Sequence, residues 1–406
     1  MMASRRAVPD SVRPGSAAVV RGTVFGLTTA LVGATGALAI VAGRVARRVV
    51  TRSARIPDTL LVDVDTAAQT ITLGRTPDTA LPGRYGLFTS GTQDYLKVGT
   101  VLSSDAEQVT RKLLTQISSA DELAAEAAFS GWYFTHPDEL HVPYDDVVID
   151  APIGACPAWL FPADEASTTW AIHVHGRGTT KSESLRAVSV FRAAGLTSLL
   201  VSYRNDGDAP DSRRGTYGLG TTEWRDVDQA LAYAREHGAT RIVLLGWSMG
   251  GAIVLQLALN SAHRDLIVGV VLDSPVVDWR QVLTYQARLL GMPRPLTALA
   301  LGALGRAWTG RLTGSDVAIS FDDLDLVTRA AELRAPTLIL HSDGDDFVPP
   351  DASRALRDAR VDLVELEEFT GARHTKLWNY DEDRWTAAIR GWLGRQRLSS
   401  AADADS

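Results

Sequence analysis

Cysteine is nearly absent from this chain: Cys156 is the only one in 406 residues. No intrachain disulfide can form, and a lone thiol says nothing about redox compartment. An excess of positive charge is also missing. Asp and Glu number 48 against 41 Lys and Arg, a formal net charge of −7, and basic and aromatic residues are nowhere interleaved in a patch. That balance excludes a nucleic-acid partner from the reading. Metal-ligand spacing is lacking as well. His136 and His141 stand five apart, but Pro137 between them disfavours a helix and no further ligands cluster nearby. No metal or other cofactor is expected.

What is present is enough apolar material for a large core, with 45% apolar and 22% charged residues. About 250 residues suit one α/β domain, which leaves about 140 at the N-terminus. Within those, residues 1–21 form a polar segment, and 22–43 are uncharged and largely apolar. A run of that length exceeds the ~20 residues that cross a bilayer as a helix. Arg13 and Arg21 precede it; Arg44, Arg47, Arg48, Arg52 and Arg55 follow. We expect an uncleaved single-pass transmembrane helix over 22–43 that anchors the protein in the cell membrane. A cleaved signal peptide and an amphipathic or soluble segment are the alternatives. Five arginines after the span against four before it (Arg5, Arg6, Arg13, Arg21) slightly favour a cytoplasmic catalytic domain, leaving the side open.

Residues 44–143 read as a linker and a small N-terminal module. Runs at 60–64, 70–73 and 81–88 are strand-like, while 106–118 and 121–129 read as helices. The adjacent Trp132 and Tyr133 read as core. From 144 to 395 apolar runs at 197–203, 241–247, 267–273, 336–341 and 361–366 alternate with helical patterns at 181–194, 223–237, 249–260, 351–358 and 380–393. Near-continuous Val/Ile/Leu strands imply a mostly parallel, doubly wound sheet covered on both faces. Runs at 145–149 and 155–161 read as antiparallel opening strands. The excursion 276–335, rich in Leu and Ala, is expected to form a small helical lid, with a longer crossover helix as the alternative. The polar tail 396–406 is expected to be disordered.

Chemistry concentrates in Gly246-Trp247-Ser248-Met249-Gly250. A β-branched run precedes it and a helical pattern follows, the layout of a nucleophile elbow. Flanking glycines allow a tight turn that exposes the Ser248 hydroxyl, and the helix N-terminus with the Met249 N–H can stabilise an oxyanion. A serine N-cap on an ordinary turn is the bland alternative. A serine hydroxyl needs a base, and only His263, His341 and His374 follow it among eight histidines. His374, in a loop after the strand-like 361–366, is the candidate base; His263 reads as a surface residue and His341 as packing. The loop 341–350 offers Asp343, Asp345 and Asp346 as orienting acid. Asp345 is favoured, with Asp343 in an Asx-turn and Asp346 facing water. His175-Gly176-Arg177-Gly178 lets backbone approach a ligand closely, making the Arg177 N–H the second candidate oxyanion donor. Its guanidinium could meet an anionic substrate group or simply face outward. His175 reads as a loop anchor.

From about 144 to 393 the chain resembles the α/β-hydrolase superfamily. The resemblance rests on His175-Gly176-Arg177-Gly178, Gly246–Gly251, Leu272-Asp273-Ser274-Pro275, the Asp345 loop and His374, in the order Ser248, Asp345, His374. Within the superfamily it is more similar to prolyl-oligopeptidase-like and serine-aminopeptidase-like hydrolases than to lipases. It looks closest to uncharacterised actinobacterial hydrolases with an N-terminal extension, on Tyr203–Gly207 and Glu223–Asp226. Arg373 departs from the pattern, since many relatives carry Gly there. The resemblance implies an α/β-hydrolase fold with a small lid and an N-terminal extension. It also implies a serine hydrolase that forms an acyl-enzyme on Ser248, with a small-molecule or peptide acyl substrate. Carboxylic esters come first; a peptidase or amidase is the runner-up, without a Glu-Glu pair to anchor a substrate terminus. Acyl transfer to an alcohol and a non-catalytic binding module on the same fold remain alternatives. Substrate identity and oligomeric state stay open.

Overall fold

A computed structural model describes residues 39–52, 55–89, 95–119 and 123–399. Most of the expected membrane span, 22–38, lies outside the described residues, as does the tail from 400. Residues 39–43 belong to a helix, α1 (39–50), that runs past Arg44 and buries Ala42, Ala46 and Val50 in the protein core. Among the described residues no helix is long and apolar enough to cross a membrane. The single-pass anchor, the membrane localisation and its cytoplasmic orientation are therefore withdrawn. A spacing of four puts Ala42, Ala46 and Val50 on one face of α1, while Arg44, Arg47 and Arg48 point to solvent, the pattern of a docked amphipathic helix.

Next comes a closed six-stranded barrel in the order β1-β2-β5-β4-β3-β6, built from β1 (Thr59–Asp65), β2 (Thr70–Gly74), β3 (Tyr85–Thr89), β4 (Tyr95–Ser104), β5 (Gln108–Leu113) and β6 (Glu126–Ser130). Strict alternation fills its interior: Ile71 and Leu73 from β2, Val109, Arg111 and Leu113 from β5. Where helices are expected over 106–118 and 121–129, the described residues form the strands β5 and β6 and no helix. In β5 the period of two is masked because Arg111 occupies an inward slot. In β6 Ala127 and Ala128, good helix formers, sit in the seam where that strand pairs with both β1 and β3.

The hydrolase-like body is an eight-stranded sheet in the order β14-β13-β12-β11-β9-β10-β8-β7. Its strands are β7 (Asp145–Ala151), β8 (Gly154–Phe161), β9 (Thr169–Val174), β10 (Thr197–Val201), β11 (Arg241–Trp247), β12 (Ile267–Asp273), β13 (Thr337–Ser342) and β14 (Val364–Phe369). Strand β8 is antiparallel to both neighbours; all pairs from β9 to β14 are parallel. Alternate residues feed opposite faces. Ile172, Ile242 and Leu244 join one core cluster with α3 (Trp224–Glu236) and α4 (Met249–Asn260), whereas Ala171, Val243 and Leu245 join another with α2 (Leu185–Ala193). Residues 276–335 carry α5 (Trp279–Leu289), α6 (Arg294–Leu304) and the short α7 (Gly310–Thr313), so the excursion is a set of helices and not one long crossover helix. The chain closes with α8 (Asp351–Ala359), α9 (Leu377–Tyr380) and α10 (Glu382–Arg395), the last placing Trp385, Ile389 and Trp392 on the second core.

Chain order reverses at β9, which has β10 on one side and β11 on the other. In open α/β sheets the carboxyl ends of strands at such a switch point form a crevice. Here those ends carry Gly176-Arg177 and Ser248.

Candidate active site

Ser248 sits between β11 and α4 with φ 50° and ψ −116°, a conformation non-glycine residues rarely adopt. Glycines on both sides are obligatory. A Cβ at Gly246 would lie 2.5 Å from the Gly250 carbonyl oxygen, and one at Gly250 would lie 2.2 Å from the Val174 carbonyl oxygen. The turn is tied down from behind: Ser248 N–H donates to Asp273 O at 3.0 Å, and Ser248 O accepts from Gly251 N at 2.9 Å and Val276 N at 3.0 Å. Such fixation is what holds a strained residue in place.

Three of the expected residues meet. His374 Nε2 lies 2.9 Å from Ser248 Oγ, and its Nδ1 lies 2.8 Å from Asp345 Oδ2. The carboxylate accepts from Nδ1–H, which leaves Nε2 to accept from the serine hydroxyl. Asp345 is itself fixed, its Oδ1 accepting from Phe347 N at 2.9 Å and Val348 N at 2.8 Å. Burial pushes the Asp345 carboxyl up, but the charge of His374 and hydrogen bonds from His341 and His374 outweigh it and hold it well below the carboxylate range. For His374 burial works downward, and the Asp345 charge and hydrogen bond overcome it, raising the imidazole above its usual value. The Phe347 ring packs 5.1 Å from the His374 ring.

The other two aspartates of this loop do different work. Asp343 Oδ1 accepts from Gly371 N at 3.0 Å, and Asp346 pairs with Arg373. Asp343 thus holds Gly371 and forms no Asx-turn, whereas Asp346 faces water as expected and also pairs with Arg373; both clasp the loop that carries His374, from 28 and 27 residues away along the chain. His341 packs as expected, buried, with Nε2–H donating to Val348 O at 3.0 Å.

On β9's far end His175 is the loop anchor anticipated. It is buried, stacked on Tyr203 at 4.4 Å and hydrogen-bonded to Asp206 Oδ2 at 3.1 Å. Tyr203 Oη donates to His175 O and Gly176 O, each at 3.0 Å. Gly176 N donates to Glu183 Oε2 at 3.0 Å and Gly178 N to Tyr217 Oη at 3.3 Å. The Arg177 N–H between them has no hydrogen-bond partner among the described residues. Gly176 borders Ser248 directly, a Cβ there falling 3.4 Å from Ser248 Cβ. Met249 opens α4, where the first N–H groups have no preceding turn to bond. The Arg177 guanidinium neither faces outward nor is free for an anion: Nη1 donates to Val49 O at 2.5 Å at the C-terminal end of α1. That carbonyl and the negative pole of the helix suit a cation.

Beside this group lies an apolar cavity of about 230 Å³, walled by Val45 and Val49 of α1, Trp279 and Leu283 of α5, and Ala300 and Leu304 of α6. Arg177 and Phe347 also line it, and Phe347 is the residue it shares with the surroundings of His374. Among the described residues no group of three or more His, Cys, Asp or Glu could hold a metal. His136 and His141 cap the two ends of one short helical turn. Cys156 is buried, which pushes its thiol up to about 12 and makes it a poor nucleophile.

Two buried charges escaped the sequence reading. Glu183 holds Gly176 and Thr179, and Arg186 donates through Nη1 to Thr375 O and Asn379 Oδ1, each at 2.8 Å. A charge pair three apart in the helical pattern 181–194 was the available signal, and it reads equally well as a solvated face.

Residues 171–389 match the model of the alpha/beta hydrolase family, and 61–130 match that of a domain of unknown function, which falls on the barrel. An uncharacterized Mycobacterium tuberculosis protein is 24% identical over 251 residues, 61% of this chain and 78% of its own. A crystallised Pyrococcus furiosus esterase superposes with a TM-score of 0.50 at 16% identity, over 65% of this chain and 94% of that one. The family match covers more than half of the chain without resolving branches within the family. With the sheet order and the elbow, it makes the protein a hydrolase and a member of the alpha/beta hydrolase family.

Proposed function

We propose that the protein hydrolyses carboxylic esters through an acyl-enzyme on Ser248. The continuous relay Ser248 Oγ, His374, Asp345, at 2.9 and 2.8 Å, carries this reading. His374 Nε2 takes the hydroxyl proton as Ser248 attacks the ester carbonyl. Asp345 keeps the imidazole in the tautomer that can accept and stabilises the imidazolium that forms. The negative charge on the attacked oxygen meets the Met249 and Arg177 N–H groups and the N-terminus of α4. Collapse expels the alcohol, which takes its proton from His374. Water then attacks the acyl-enzyme by the same base, releasing the acid and restoring Ser248.

The cavity supports an ester with an apolar acyl chain. An apolar cavity of ~150 Å³ takes up benzene, so one of about 230 Å³ accepts a chain of roughly six to nine carbons. Its lining carries no carboxylate to hold a substrate's amino group, which sets peptides behind esters. The name of the Pyrococcus furiosus neighbour, an esterase, agrees with that bond class. Labelling of the purified protein by a fluorophosphonate, beside Ser248→Ala, tests the mechanism. Labelling and ester turnover in the wild type alone are expected. Labelling that persists in Ser248→Ala, or an unlabelled but folded wild type, overturns it.

A further inference from the structure

The barrel touches the loop that carries His374, and the contact is built from both sides. Inside the barrel, fully buried Arg111 donates through Nε to Gly99 O at 2.9 Å, through Nη1 to Thr79 O at 2.8 Å and Leu81 O at 2.7 Å, and through Nη2 to Gly83 O at 2.8 Å. Three of those four carbonyls belong to one segment, 79–83. Thr79 Oγ1 adds a bond to Gly74 O at 2.9 Å. A buried guanidinium spent on main-chain carbonyls fixes the course of a loop.

The outer side of that segment meets the histidine loop. Asp78 Oδ1 lies 3.1 Å from Arg373 Nε and 3.1 Å from Lys376 Nζ, the residues just before and two after His374. Arg84 pairs with Glu382, its N–H donates to Asn379 O at 3.2 Å, and its carbonyl accepts from Asn379 Nδ2 at 2.8 Å. From the hydrolase side Arg186 holds Thr375 O and Asn379 Oδ1, and Thr375 N donates to Ser274 Oγ at 3.2 Å. Between these two sets of contacts Thr375 adopts φ 53°, costly for a β-branched residue and sustained only where neighbours over-determine it.

We propose that the barrel is a positioning device for the base, with Asp78 as the residue that fixes and neutralises the His374 loop. This rests on the role proposed for His374. Asp78 is a positioning residue; it acts through Arg373 and Lys376. The titratable groups around the imidazole are Asp345, Asp346 and Asp343 from the loop after β13, His341 of β13 against Asp345, Asp273 at the end of β12, Arg186 and Glu183 of the segment leading into α2, and Arg373 and Lys376 on the histidine loop itself. Asp78 is the barrel's contribution, set against the last two. Without it two cations next to His374 lose a counter-charge, and the imidazolium is disfavoured.

The test uses the full chain and two readouts: kcat/KM against pH for an ester of a six-to-eight-carbon acid, and titration of the His374 ring by NMR. In Asp78→Asn, kcat is expected to fall about tenfold with KM little changed, since small misplacements of reacting groups are expensive. The acidic limb and the ring titration should both move down by about half a pH unit. Lys376→Gln should move them up, and the double variant should bring them back toward wild type. A barrel that merely supports folding lowers stability without opposite shifts. An unmoved titration in a folded Asp78→Asn overturns the proposal; should that variant not fold, an unmoved titration in Lys376→Gln does so. The NMR shift is measured in a Ser248→Ala background as well. A protein without ester turnover whose His374 still responds to Asp78 would sink the esterase reading and leave the positioning intact.

Discussion

At the scale of single residues, Ser248, His374 and Asp345 are hydrogen-bonded in one line, and under the proposed mechanism they should fail together. Asp345→Asn keeps the shape but offers His374 the wrong hydrogen-bonding partner, and a loss of about 10⁴ in kcat is expected. Comparable substitutions of Asp343 and Asp346 should cost far less, because those carboxylates hold backbone and Arg373 and not the imidazole. Steady-state kinetics on the three variants separates them. The pH profile has a defined sign. His374 must be neutral to accept the proton, and Asp345 raises it above the ordinary imidazole value, so activity falls on the acid side with a midpoint above about pH 6.5. A midpoint below that value would contradict the ion pair.

At the scale of elements, the elbow and the cavity walls decide what the residues can do. Gly250→Ala drives a Cβ to 2.2 Å from Val174 O and presses α4 off the sheet. A loss of stability of about 2–4 kcal/mol is expected, read as a drop in the urea midpoint. The cavity is made by α1, α5 and α6, elements that flank the sheet and do not belong to it. Ala300→Phe fills part of it and should shift preference from six-to-eight-carbon esters to acetyl and butyryl esters, while a small fluorophosphonate still labels Ser248. An unchanged chain-length profile would place the acyl group elsewhere. Removing the donors of Arg177 with Arg177→Met leaves Val49 O unpaired and should loosen α1 by about 1–3 kcal/mol, visible as faster proteolysis after Arg44, Arg47 or Arg48.

At the scale of the whole molecule, a barrel, a helix from before it and a hydrolase body converge on one crevice. Arg111→Met would strand four carbonyls, so the barrel should melt earlier and the base loop should loosen with it. The body was legible in the sequence because its strands are buried on both faces and need no partner to be recognised. Hydrophobic runs and the glycine-flanked serine are local patterns that local sterics dictate, and the order serine, aspartate, histidine can be read along the chain without knowing how the three meet. The barrel was less legible. Its β5 alternation is interrupted by an inward arginine, and its β6 is alanine-rich, so propensity pointed to helix where strand pairing prevailed. The N-terminal apolar run was read as a membrane span because hydropathy counts residues and does not know what they pack against. In residues 39–50 the small apolar face has the core as its partner.

What the sequence alone determined is what one stretch of chain can enforce by itself: the strained elbow at Ser248, the buried parallel strands, the supply of a base and an acid in order. Tertiary structure decided everything that depends on surfaces meeting. It chose Asp345 over its neighbours, turned Arg177 toward α1, built the cavity from three separate helices, and set Asp78 against the loop of His374. Each of these is a contact between residues from 27 to several hundred positions apart, and no local propensity encodes the geometry of such a meeting.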